Sequence, residues 1–493
     1  MIDIQVVDRM RDPTRSETSM TPTPEQADIL ARPPEGILKV AAGAGCGKTS
    51  TLVEYAKRWP AQGLYLAFNR SIADEAGCKF PRSIQTRTAH SLAHRALQIG
   101  KRGSPIAKFR FEHLQPYEEF IRPVDGMTYG QVRAAVLRTL DSFLIDAGSK
   151  LRADHRQLAD IKQQSAIRHM VKAIAVKLLR FNQHDLPITH DTYLKAFELW
   201  HRIEGDFAYL LLDEAQDLNP VLISVARKAA LPTVVVGDTY QSIYRFRGAI
   251  DAMQQFPADE LPLTHSWRFG PKIATLCNRI LKHHSRPPRR PLHGNPAIEN
   301  EIIRYGGAAS AGAGTAILAR TNARLFEGLS LIDRPFHLLG GFAGLERQLS
   351  SAYALRQNQL AQVTDADVAR FTSWGQFNDA AERGDVDARR LRDIVEKHGP
   401  ALPSLLQRLA GLHRENESDA QITVSTAHKV KGREFRTVFV LDDFDSPREL
   451  MARRAKDATK TEETDQLINL LYVACSRATY RLCLAPKLFD ELC

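Results

Sequence analysis

The sequence is poor in the features that hold secreted and membrane proteins together. Its 493 residues include only six cysteines, Cys46, Cys78, Cys277, Cys475, Cys483 and Cys493. They are scattered too widely for a disulfide framework and lack the paired spacing of a zinc site. No stretch approaches the roughly 18 apolar residues of a membrane span, and the first 20 residues contain no apolar h-region. A soluble protein of a reducing compartment is expected, cytoplasmic if the source is bacterial, with no membrane partner. An acidic excess is also missing. Lys and Arg number 67 against 57 Asp and Glu, a formal charge of +10 that favours a polyanionic partner. With 43% hydrophobic and 25% charged residues, composition excludes a mainly disordered or fibrous chain.

The order of apolar runs predicts an α/β fold. Residues 1–20 read as a polar leader. From 21 to 97, short β-branched runs such as Ile37 to Val40 alternate with helical stretches, the pattern of a parallel sheet. Residues 98–204 lack strand signals. There Ile167, Met170, Val171, Ile174, Ala175 and Leu178 recur at helical spacing, which predicts a helical insertion. Within residues 101–200, 16 basic residues face 11 acidic ones, a net of +5, so this surface is either a nucleic-acid face or a solvated helical one. Strand-like runs return at 209–212, 233–236, 315–318, 335–339, 422–424 and 437–441. The resulting division is 21–97 with 205–258, an insertion at 98–204, a second unit of 259–349 with 421–493, and a short helical insertion at 350–420. From Leu261 to Ile298 there are seven basic residues and no acidic one. The loop KHHSRPPRRP within that span reads as a phosphate contact or as a surface turn.

The strongest chemical signal is AGAGCGKT at Ala42 to Thr49, directly after the strand Ile37 to Val40. Backbone N–H groups of Gly43, Ala44, Gly45, Cys46 and Gly47 can curl around phosphate oxygens, with Lys48, Thr49 and Ser50 opening a helix behind them. Lys48 suits the β- and γ-phosphates and Thr49 a magnesium ion. The second signal is LLLDEAQD, an apolar strand ending in acids, where Asp213 can hold Mg2+ and Glu214 can polarise the attacking water. Cys46, beside Lys48 at a helix N-terminus, has two readings: an activated thiolate, or a small residue in place of serine.

These two segments, together with VVVGDTYQSIYRFRGA at Val234 to Ala249, resemble motifs I, II and III of the UvrD/Rep-type superfamily 1A helicases. Further segments follow in the same order: TPEQADIL from Thr23, LAFNRSIADEA from Leu66, TRTAHSLA from Thr86, LTHSWRFGPKIA from Leu263, STAHKVKGREF from Ser425 and LLYVACSRAT from Leu470. The wording is most similar to the branch containing the eukaryotic F-box DNA helicase, though no F-box is recognisable. The resemblance implies two RecA-like P-loop domains, each carrying a helical insertion, that use ATP and Mg2+. It implies that Gln26 reads adenine, although Thr23 to Gln26 is equally a helix capping box. Trp267 would stack on the base, Arg268 would contact the γ-phosphate and Gln241 would sense it. Arg477 would stabilise the transferred phosphoryl group, and Glu434 would accept from the ribose.

The same resemblance places single-stranded DNA on Phe68, Tyr244 and Phe246, with Thr88, His90, His428 and Lys431 contacting the strand or coupling it to ATP. It implies a 3′ to 5′ DNA translocase or helicase of repair or recombination, acting on single-stranded and tailed or forked duplex DNA. The short second insertion weighs against processive unwinding. Two rivals stay open: a DNA-sensing ATPase subunit of a phage-defence system working with a partner nuclease, and an RNA translocase. Asn469 stands where the family commonly has a basic residue.

Overall fold

The computed structural model describes residues 21–67, 69–106, 108–152, 161–180, 187–244, 250–306, 314–382 and 385–493. The leader expected at 1–20 lies outside them. Six strands, β1 (Ile37–Ala42), β2 (Gly63–Ala67), β3 (Ile84–Thr88), β4 (Tyr209–Leu212), β5 (Thr233–Gly237) and β6 (Glu260–Leu263), form one sheet in the order β3-β2-β4-β5-β1-β6. Every pairing in it is parallel. Strands β2, β4 and β5 are buried along their whole length, which is why they read as unbroken apolar runs.

A two-stranded pair, β7 (His265–Ser266) and β8 (His293–Gly294), leads to a second sheet. Its strands are β9 (Glu301–Arg304), β10 (Thr315–Ala319), β11 (Phe336–Leu338), β12 (Ile422–Thr426), β13 (Phe435–Val440) and β14 (Ala478–Leu484). They run parallel in the order β11-β12-β10-β13-β14-β9. The α/β class with two parallel sheets is therefore as the sequence suggests.

Each sheet carries helices between two of its strands. Between β3 and β4, the helices Tyr129–Ile145, Ile161–Leu179 and His190–Trp200 bury Val136, Leu140, Val171, Ile174, Leu178 and Phe197 in a core of their own. Buried Glu198 anchors this insertion, accepting from Ser224 Oγ at 2.6 Å and pairing with Lys228 at 2.8 Å on the helix Pro220–Lys228. Between β11 and β12, five helices from Ala343 to Leu412 pack beneath the second sheet.

Two segments fall differently from the sequence division. Strand Glu260–Leu263 pairs with β1 and joins the first sheet, beyond the boundary drawn at 258. It is an edge strand, the position in a sheet where Pro262 is tolerated. The helix Ala343–Arg356 runs through the boundary drawn at 350.

The topology concentrates chemistry at one edge. Strands β4, β5 and β1 are neighbours, so the segments that follow them, 213–214, 238–241 and 43–47, emerge side by side at their carboxyl ends. In open parallel sheets that crevice is where ligands bind.

Candidate functional site

The loop 43–47 leaves β1 and turns into the helix Lys48–Arg58. Gly45 and Gly47 adopt left-handed φ angles of +73° and +76°. A Cβ on Gly45 would approach Arg268 Cβ and Ser266 Oγ to 2.6 Å, so the turn requires glycine on both counts. The result is a backbone turn at a helix N-terminus, a setting that suits an anion. Three of the N–H groups expected to meet phosphate nevertheless donate within the protein: Gly43 to the Leu263 carbonyl at 2.9 Å, Ala44 to Tyr472 OH at 2.9 Å and Cys46 to the Gly43 carbonyl at 3.4 Å.

Acid groups face that turn. Thr49 Oγ1 donates to Asp213 Oδ2 at 2.8 Å, and Tyr65 OH donates to the same oxygen at 3.0 Å. Lys48 Nζ lies 3.8 Å from Glu214 Oε1. Glu214 sits at a φ of +50°, with its N–H donating to Asp213 Oδ1 at 2.8 Å. Burial alone would favour the neutral carboxyl of Glu214. Lys48, Lys431, the Gln216 amide and Arg477 outweigh it and hold the group down to about 2. Asp213 is raised above the usual carboxylate range by burial and by Glu214 beside it. For Lys48, burial opposes the charge, but Glu214, Asp238 and Asp213 together raise its ammonium.

Asp213 and Thr49, hydrogen-bonded beside the loop, offer two oxygens to a cation. No group of three His, Cys, Asp or Glu among the described residues could hold a metal alone. That donor set fits Mg2+, which takes one or two protein oxygens and completes its shell with water and phosphate.

The segment after β7 and the turn before β14 supply the opposing wall. Arg268 Nε donates to Glu434 Oε1 at 2.7 Å and its NH1 to the Ser476 carbonyl at 3.1 Å. Arg477 is 1% exposed and donates to Gln241 Oε1 at 3.3 Å, while Gln241 Nε2 donates to Asp238 Oδ2 at 2.7 Å. Burial, with Arg268 nearby, pushes the Arg477 guanidinium down to about 9. Asn469 is buried and donates to the Ser242 carbonyl at 3.3 Å.

The base end of the cleft is also assembled. Gln26 closes a capping box with Thr23 and donates from Nε2 to Thr51 Oγ1 at 2.9 Å. These bonds fix which way the amide points and leave it one acceptor and one donor site. Trp267 is 49% exposed, and a Cβ on Gly47 would lie 3.5 Å from Gln26 Nε2 and 3.6 Å from Trp267 Cδ1.

The residues assigned to a nucleic-acid strand are more dispersed. Phe68 and Phe246 lie outside the described residues. The Thr88 hydroxyl caps the helix Ala89–Ala96, accepting from Ser91 N at 3.0 Å. His90 packs edge-on to His190 and Tyr193, and burial followed by His190 pushes it down to about 4. Lys431 Nζ is 2.5 Å from both Asp217 Oδ2 and the Gln241 carbonyl, and 5.4 Å from the Tyr244 ring centroid. Tyr244 OH donates to the His428 carbonyl at 2.8 Å. Lys431 is thus held among Asp217, the Gln241 carbonyl and the Tyr244 ring. The basic loop 282–291 is an anchored bridge. Ser285 N donates to Asp465 Oδ1 at 2.9 Å, Tyr240 OH to the Arg286 carbonyl at 3.0 Å, and Arg286 NH1 to Gln254 Oε1 at 2.6 Å.

The structure favours the second reading of Cys46, a small buried residue in place of serine. The side chain is buried, and burial followed by Asp238 pushes the thiol up to about 12 against the opposing pull of Lys48. A native alkylation experiment read by peptide mass mapping is expected to modify the exposed Cys78 and Cys493. Cys46, Cys277, Cys475 and Cys483 should react only after unfolding. Native labelling of Cys46 would restore the reactive reading.

Sequence reasoning missed Asp238 and Tyr472 as members of this site. Asp238 carried a usable signal, an acid ending an apolar strand, as at Asp213. Tyr472 lies within the segment LLYVACSRAT, which marks the region, but nothing local sets its hydroxyl apart from that of an aromatic residue in an apolar core helix.

A phosphate loop and acid-tipped strands, faced by Arg268 just after β7 and Arg477 just before β14, define a two-lobed P-loop protein. The UvrD/REP helicase N-terminal domain matches residues 22–259, and the UvrD-like helicase C-terminal domain matches residues 343–486. The chain belongs to the UvrD-like helicase family. It is 29% identical over 505 residues to F-box DNA helicase 1 of Gallus gallus, covering 94% of this chain and 49% of that protein. It is 27% identical over 501 residues to F-box DNA helicase protein 1 of Schizosaccharomyces pombe, covering 92% and 56%. To DNA helicase II of Escherichia coli it is 24% identical over 380 residues, covering 66% and 52%. The chain thus spans about half the length of the curated relatives it matches. Among the described residues no helix is long and apolar enough to cross a membrane.

Proposed function

We propose that this protein is an ATP-dependent translocase on single-stranded DNA that unwinds tailed or forked duplexes in the 3′ to 5′ direction. The observation that carries the reading is the cleft in which Lys48, Thr49, Asp213, Glu214 and Gln241 of the first lobe face Arg268 and Arg477, with Gln241 and Arg477 hydrogen-bonded across it. In this reading the cradle 43–50 and Lys48 hold the phosphates. Thr49 and Asp213 hold Mg2+, which supplies charge neutralisation when bound. Glu214 orients and deprotonates the attacking water. Arg268 and Arg477 stabilise charge on the transferred group, while Gln26, Trp267 and Glu434 position the nucleoside.

The DNA side follows from continuity. Gln241 touches both Arg477 and Lys431, and Lys431 touches Tyr244. A change at the nucleotide is thereby passed to an aromatic step on which a base stacks, with Phe68 and Phe246 as further steps. Stacking of this kind is worth about 1 to 3 kcal/mol per base.

The test is ATP turnover without nucleic acid and with single-stranded DNA, duplex DNA or RNA, followed by unwinding of 3′- and 5′-tailed duplexes. Single-stranded DNA should stimulate strongly, and the 3′-tailed substrate should open. Turnover that no nucleic acid stimulates would sink the reading. The insertion between β11 and β12 is confined to residues 343–412. Its small size favours a second reading, a translocase or DNA sensor that needs a partner nuclease or repair protein, and stimulated turnover without unwinding would select it.

A further inference from the structure

One hydroxyl in the cleft belongs to none of the roles above. Tyr472 lies on the helix Thr461–Cys475 of the second lobe, fully buried. Its OH accepts from the Ala44 N–H of the phosphate loop at 2.9 Å and donates to Asp238 Oδ2 at 3.1 Å. Both partners belong to the first lobe, 428 and 234 residues away in sequence.

The partners are themselves committed. Ala44 lies in the backbone cradle, one residue before the left-handed Gly45. Asp238 Oδ2 also accepts from Gln241 Nε2 at 2.7 Å, Oδ1 accepts from Tyr240 N at 3.0 Å, and its N–H donates to Gln216 Oε1 at 2.9 Å. Gln216 in turn donates to Glu214, the proposed base. The hydroxyl therefore joins the cradle, the Gln241 to Arg477 link and the support of Glu214 at one point.

We propose that Tyr472 is a positioning residue for hydrolysis, its hydroxyl setting the register between the phosphate loop and the Asp238–Gln241 pair. A protein needs no phenol for packing here, since phenylalanine fills the same space. What phenylalanine lacks is the donor and acceptor. It leaves the Ala44 N–H and one Asp238 lone pair without their partner in a buried setting, a loss that falls on alignment.

The proposal rests on the ATP-hydrolysing reading, and the experiment separates the two. Tyr472→Phe is compared with the unaltered full chain by ATPase kinetics with saturating single-stranded DNA and by binding of a non-hydrolysable ATP analogue. Amide exchange over residues 43–46 is measured alongside. Expected is a fall in kcat of about ten- to thirtyfold with KM and analogue Kd changed less than about threefold. The Ala44 amide should exchange faster while amides in β4 and β5 keep their protection. An unaltered chain that hydrolyses no ATP overturns the functional reading itself. Active wild type with Tyr472→Phe within twofold in kcat overturns the positioning role. General acceleration of exchange across β4 and β5 shows a structural role instead and overturns it equally. An unchanged Ala44 amide also overturns it.

Discussion

Lys48→Ala is expected to lower ATP turnover by at least about a thousandfold, beyond the usual loss of a single preorganised electrostatic group. The expectation comes from where this ammonium sits. It is buried against Glu214, Asp213 and Asp238, and those carboxylates keep it charged. Removing it leaves Glu214, Asp238 and Asp213 beside the phosphate loop without the lysine charge that offsets them. Lys48 is also the first of the cations that hold Glu214 at about 2. Without it the Glu214 carboxyl rises towards the ordinary range, so more of it is protonated at any acidic pH. Binding of a fluorescent ATP analogue should weaken in parallel, because a polyanion now meets three carboxylates. Steady-state turnover and analogue titration check both parts. A Lys48→Ala protein within tenfold of normal turnover would remove the cradle assignment.

The phosphate loop is legible because its geometry demands particular residues. A left-handed turn against Ser266 and Arg268 admits only glycine at 45, and that requirement is written into the chain. Asp213 and Glu214 are legible because a fully buried strand stops abruptly at two acids. Strands β1, β4, β5 and β10 to β13 follow from the same apolar runs, whereas β2, β3, β6, β9 and β14 were not among them.

What stays hidden depends on contacts between distant segments. Arg268 meets Glu434 across 166 positions, and Lys431 meets Asp217 across 214. No local pattern pairs them. Cys46 was judged by Lys48 and the helix N-terminus, both local. Its state is set by burial and by Asp238 from another strand. The edge strand Glu260–Leu263 is short and contains a proline, so its pairing with β1 leaves little periodic signal. Tyr472 shows the same limit, since a functional hydroxyl on a buried ring has the hydropathy of core.

Glu214→Gln should separate binding from chemistry. Glutamine keeps the volume and can still accept from Gln216, so the backbone at a φ of +50° has no new reason to move. What disappears is the negative charge among Lys48, Lys431 and Arg477, the cations that keep the carboxyl ionised. A phosphate chain then enters a more positive site, and analogue binding should be equal or tighter. Asp213 gains as well. Glu214 is the charge that, after burial, does most to raise the Asp213 carboxyl, so the substitution shifts Asp213 downward and leaves it more readily ionised for Mg2+. Turnover should nonetheless fall by about 10² to 10⁴, the range for a lost general base. The pH profile carries the decisive sign. A carboxyl held at about 2 is ionised throughout a range of about pH 6 to 9, so wild-type activity should show no rising limb there from this group. The Gln variant should therefore be depressed by the same factor at every pH tested. Recovery of the variant at high pH, or turnover near normal, would show that bulk hydroxide or another residue activates the water and would take the base assignment away from Glu214.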